Sequence, residues 1–123
     1  MRRESFESLP AWRQAMKLAI QAHALAALLP ADEKSGLAAG LKRAAQQPAL
    51  LIAQADGSEE PDDAIATLKK CETPLRELLT TALLAQQLRM LGRAHLRKLR
   101  AGIYKLGRLI DEEIDSWTQA TEE

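Results

Sequence analysis

The sequence predicts an all-α fold: an antiparallel up-down four-helix bundle occupying residues 1–123 as a single domain. Three observations carry this expectation. Strands are built from β-branched and aromatic residues, yet the chain has no Val, six Ile and only 3% aromatics, with Ala and Leu supplying most of its 46% hydrophobic residues. Apolar residues recur three and four apart through four stretches, the period of a helix with one buried face. Proline and glycine punctuate those stretches at Pro30, at Gly57 to Pro61, and at Gly92.

The first helix is expected over residues 9–29. Ser8 is a candidate cap, and Pro10 suits a first turn, where its missing N–H costs nothing. Trp12, Met16, Ala19, Ile20, His23 and Ala27 share a face and form its expected inward stripe. Pro30 disfavours helix in the residue before it and ends the segment. The second helix is expected over 36–56, with Leu37, Leu41, Ala44, Pro48, Leu51 and Ala55 inward; Pro48 should kink it without ending it. The third is expected over 62–91, opening on acidic residues at Asp62 and Asp63 that complement a helix N-terminus. Its inward stripe is Ile65, Leu68, Cys71, Leu75, Leu78, Leu79 and Ala82; Pro74 should kink it and Gly92 should stop it. The fourth is expected over 94–120, with Leu96, Leu99, Ile103, Leu106, Ile110, Ile114 and Trp117 inward.

Several chemistries lack their residues. The single cysteine, Cys71, excludes an intrachain disulfide and a cysteine-rich zinc site, and on an apolar stripe it reads as a small hydrophobe. Neither His23 nor His95 has a carboxylate or histidine four residues on, so no metal is expected; His23 reads as a packed core residue and His95 as a solvated one. No Glu-x-x-His pair supports a di-iron bundle. Gly102 and Gly107 have P-loop spacing but lack the lysine and hydroxyl that must follow, and they sit inside an amphipathic pattern. The chain therefore reads as a non-enzyme with no cofactor. The residues from Met1 to Glu7 are charged and make no signal peptide, and no apolar run reaches the ~18 residues of a membrane span. A cytoplasmic protein is expected.

Charge balances, 17 Lys+Arg against 17 Asp+Glu, which argues against a uniformly basic nucleic-acid binder. Its distribution is uneven. From Leu78 to Ile110 there is no acidic residue, and within that stretch Arg97, Arg100, Tyr104 and Arg108 are spaced 3, 4 and 4, on one helical face. Guanidinium groups match phosphate and a tyrosine ring can stack on a base, so these four are candidate nucleic-acid contacts, with Lys42 and Arg43 secondary. The plainer reading is a solvated face; a third is that the stripe pairs with acidic residues of a neighbouring subunit. Leu84, Leu88 and Leu91 fall away from the inward stripe, which marks a candidate oligomer interface unless loops or the N-terminal arm cover them.

The order of several short patterns resembles one bacterial family. These are Phe6-x-x-Leu9-x-x-Trp12-x-x-Ala15-x-x-Leu18, Pro30-x-x-Glu33-x-x-Gly36-Leu37, Leu41-Lys42-Arg43-Ala44-Ala45, Leu75-x-Glu77-Leu78 and Ile103-x-x-Leu106-Gly107-Arg108-Leu109-Ile110. Together they resemble the four-helix-bundle proteins encoded in intervening sequences of large-subunit ribosomal RNA genes. The accessory variability protein of diversity-generating retroelements is similar in fold and in its Gly-Arg segment. The usual Asn-Ile-Ala-Glu-Gly of the second helix is Leu51-Ile52-Ala53-Gln54-Ala55 here, and a serine usual in the third is Pro74. The resemblance implies a homopentameric barrel of bundles and a role with RNA, DNA or a nucleic-acid enzyme. The function expected is an oligomeric, non-enzymatic bundle that binds nucleic acid or a nucleoprotein. The alternative is a protein-interaction scaffold or ring.

Overall fold

Leu9 and Pro10 set the entry of the chain into the first helix. In the computed structural model, which describes residues 5–122, α1 (Pro10–Ala26) begins with proline in its first turn. The Leu9 carbonyl accepts the first helical hydrogen bond from the Arg13 N–H at 3.0 Å. Ser8 is not its cap: its hydroxyl donates to the Ser5 carbonyl, and Ser5 instead caps a 3-10 turn at Phe6–Ser8 by accepting from the Glu7 N–H. α1 ends three residues short of the expected Leu29, which is buried in the turn that follows.

α2 (Leu37–Asp56) starts at a cap that the carboxylate of Glu33 provides, accepting from the Leu37 N–H at 3.2 Å. A negative group at this end also complements the helix dipole. Gly36 makes room for it, since a Cβ there would lie 2.9 Å from Glu33 Oε1. The helix runs unbroken through Pro48, whose ring is buried and whose carbonyl accepts from the Cys71 thiol at 3.9 Å.

The expected third helix is two helices in series, α3 (Pro61–Lys69) and α4 (Glu72–Gln87). Pro74 is the cause. It has no N–H to give the Lys70 carbonyl, and its ring crowds that carbonyl. The chain tightens just before it, with Lys70 and Cys71 donating to Thr67 and Leu68, three residues back instead of four. The third leg of the bundle is therefore jointed rather than kinked.

Gly92 does not end α4. The left-handed residue is Arg89, at φ 64. Arg89 and Met90 donate back to the Gln86 and Ala85 carbonyls, the two bonds of a Schellman turn. The chain turns there, and Leu91 comes back onto the core with 5% exposure, so it is no part of a surface strip. Gly92 instead precedes α5 (Arg93–Glu122), and its N–H donates to His95 Nδ1 at 3.3 Å.

Four legs, with α3 and α4 as one, pack around Leu18, Leu41, Ile52, Leu68, Leu78, Leu99 and Leu106, all fully buried. The core face of α1 is Ala11, Ala15, Leu18, Ala19, Ala22, Leu25 and Ala26; of the expected stripe, Ala19 is buried and Trp12 and Met16 pack against the core, whereas Ile20, His23 and Ala27 face out. Ile20 is 65% exposed and His23 is exposed. Alanine lines α1 on several faces, so the period alone does not choose among them; burial of Leu18 and Leu25 does. The α1–α2 pair packs most extensively. None of the helices is long and apolar enough to cross a membrane among the described residues.

Two stability changes follow. Arg89→Gly should raise unfolding stability by about 0.5–1 kcal/mol in denaturant titration, because glycine takes a left-handed φ without a steric penalty. Leu99→Ala should lower it by about 2–5 kcal/mol.

Candidate nucleic-acid interface

α5 carries the basic face. Its buried residues Leu96, Leu99, Ile103, Leu106 and Ile110 turn one side to the core, which leaves Arg97, Arg100, Tyr104 and Arg108 on an exposed side. Tyr104 is 55% exposed. Among the described residues, no carboxylate pairs with Arg97, Arg100 or Arg108. The ion pair that does border this surface is Arg76–Glu72 on α4, at 2.9 Å and well exposed.

The structure adds a feature that the spacing did not reveal. A crevice of about 960 Å³ runs between the α3–α4 joint and α5. Leu68, Leu75, Leu79, Ile103, Ile110 and Ile114 give it an apolar lining. Tyr104 and Arg108 form its α5 lip, and Arg76 and Glu72 stand on the α4 side. Gly107 lies between them, where an added Cβ would meet nothing within 4 Å. Arg97 and Arg100 continue the basic line along α5 beyond the crevice.

Lys42 and Arg43 do not join this surface. They sit on α2, which makes no extended contact with α5 and lies across the bundle from it. Arg76 and Gly107 were missed by the sequence reading. Within its own helix Arg76 is half of an ordinary i,i+4 ion pair, and Gly107 gains its meaning only from the crevice that it lines with Arg76. The other glycine of that segment, Gly102, has a separate task. A Cβ there would be 3.3 Å from Leu18 Cδ1, and its carbonyl accepts from Gln14 Nε2 at 3.2 Å, so α1 seats closely on α5.

Charge also sorts along the bundle. Gly102 lies against Leu18, Gly40 faces Thr81 and the Cys71 thiol reaches Pro48, which fixes the antiparallel register. The α1–α2 and α4–α5 connections therefore share one end, bearing Lys34, Arg89, Arg93, Arg97 and Lys98 alongside Asp32 and Glu33. Among the described residues, the other end gathers Glu59, Glu60, Asp62 and Asp63 with Asp111, Glu112 and Asp115, against Arg13 in the first turn of α1. Leu84 and Leu88 are 47% and 52% exposed on α4.

Among the described residues, no group of three or more His, Cys, Asp or Glu side chains is placed to hold a metal. Cys71 is buried, and burial pushes its thiol up from 9.0 to about 12.

A family model described as 23S rRNA-intervening sequence protein matches residues 7–112, and the chain belongs to that family. No curated protein matches the chain significantly.

The raised thiol pKa has two consequences. Cys71 should resist a maleimide at neutral pH in the folded protein and react fully once unfolded. The unfolded chain releases this proton at lower pH than the folded one, so the thiol's contribution to stability should be lost as pH rises from 9.0 towards about 12, as alkaline denaturant titrations would show.

Proposed function

We propose that this member of the 23S rRNA-intervening sequence protein family is a non-enzymatic, oligomeric helical bundle that binds nucleic acid, or a nucleoprotein, through the basic face of α5. One observation carries it: Arg97, Arg100, Tyr104 and Arg108 share an exposed face, and no carboxylate pairs with those arginines among the described residues. Unpaired guanidinium groups keep their donors free for phosphate oxygens. A homo-oligomer is part of the proposal. Leu84 and Leu88 give it an apolar contact away from the crevice, and five copies is the number the family resemblance implies.

A second reading has its own support in the sorting of charge to opposite ends of the bundle. The basic end of one copy would meet the acidic end of the next, or a partner protein, making a heterologous interface that closes into a ring. Light scattering separates the two. An oligomer that falls apart at high salt supports charge pairing between copies, whereas a salt-insensitive one supports an apolar contact at Leu84 and Leu88.

Binding to labelled RNA, followed by fluorescence anisotropy, tests the main proposal. Affinity should fall steeply with salt, with a log–log slope near about −2 if three arginines each neutralise one single-strand phosphate. The Arg97→Ala/Arg100→Ala/Arg108→Ala triple variant should remain folded and lose binding. Absence of any salt-sensitive RNA or DNA affinity sinks the idea.

A further inference from the structure

We infer that the crevice beside Gly107 receives an unstacked base of a single-stranded nucleic acid, with Tyr104 as its stacking platform and Arg108 and Arg76 at the flanking phosphates. This deepens the nucleic-acid reading and rests on it.

The crevice joins three properties in one place. Its lining is apolar, suiting the face of a base rather than a phosphate. Its lips carry the cations of Lys69, Arg76 and Arg108 against the carboxylates of Glu72 and Asp111, a cationic excess that suits a phosphate. An exposed aromatic ring stands at the edge between them. Among the described residues, the Tyr104 ring has no aromatic partner, the one ring pair being Phe6–Trp12 at 5.4 Å. Stacking on such a ring tolerates any base, because every base has a π-face.

Gly107 supplies the space. It lies on α5 between Ile103 and Ile110, at a position where most residues would project a side chain into the gap. Arg76 is available because its partner Glu72 is itself exposed, and such a pair is weak enough to exchange. Asp111 stands one turn beyond Arg108 and repels a backbone there. A strand is thereby directed towards Arg100 and Arg97.

The line of cations decides the ligand class. From Arg97 to Arg108 the helix rises about 16 Å. A single-headed amphipathic anion would use only the crevice lip and leave Arg97 and Arg100 idle, whereas a polymer of phosphates uses all of them. A duplex keeps its bases stacked and paired, so it can reach the arginines but cannot fill the crevice.

Anisotropy titrations of the full chain test this with three labelled probes: a short oligoadenylate, a duplex of the same length, and a single strand of abasic sites. Oligoadenylate should bind roughly tenfold more tightly than either other probe. Gly107→Leu fills the gap with a good helix former, so the fold should hold, as circular dichroism would verify. It and Tyr104→Ala should each cost roughly tenfold in oligoadenylate affinity. Gly107→Leu should leave duplex affinity and its salt slope unchanged, and Tyr104→Phe should bind oligoadenylate as the parent does. Equal affinity for all three probes, indifferent to both variants, overturns the crevice while leaving the phosphate contacts standing. No binding of any probe at low salt overturns both.

Discussion

The close seating of α1 on α5 at Gly102 is the contact on which the arrangement of the surface depends. Leu18 fills the space that a glycine leaves, and the buried Gln14 amide bonds the Gly102 carbonyl at 3.2 Å. An apolar contact and a specific hydrogen bond at the same point fix both the distance and the register of two helices. The bond matters because a buried amide left unpaired would carry a desolvation penalty of about 1–3 kcal/mol. Once α5 is fixed there, its periodicity determines the rest: Ile103 and Leu106 turn inward, and Tyr104 and Arg108 turn out on the side of α4.

Pro74 does the complementary work on the other wall. Losing one backbone donor divides the third leg into α3 and α4, and the joint at Lys70 and Cys71 opens beside α5. Pro48, in contrast, sits within α2 without dividing it. Cys71 stands where these two legs meet, with its thiol on the Pro48 carbonyl, and so ties the joint to α2. A residue that sequence alone reads as a small hydrophobe thus occupies a structural junction beneath the crevice.

Much of the architecture was legible from residue pattern. The helical class, the inward stripe of α5 and the acidic Asp62–Asp63 start of α3 all appear as expected, because each rests on local spacing. The errors share a cause. In α1, alanine fits both a core and a solvent face, so the period places Ile20 and His23 inward, whereas Leu18 and Leu25 take that place. At the end of α4, the helical period places Leu91 with Leu84 and Leu88, whereas the helix stops at Gln87 and the chain turns at Arg89. The Glu33–Gly36–Leu37 pattern was visible as part of a resemblance, but its physical meaning, a carboxylate capping α2 across a missing Cβ, is a matter of three-dimensional distance.

By itself the sequence determined the helical class, the family-like order of its short patterns, and the row of Arg97, Arg100, Tyr104 and Arg108, since each depends on spacing within one helix. The tertiary structure decided what that row borders. It placed Arg76 and Gly107 beside it, moved Lys42 and Arg43 across the bundle, and buried Leu91. It also turned a zero net charge into a bundle with one basic and one acidic end. Those outcomes depend on which faces of separate helices meet, and that is settled by the burial of Leu18, Leu78 and Leu99 together, not by the period of any one segment.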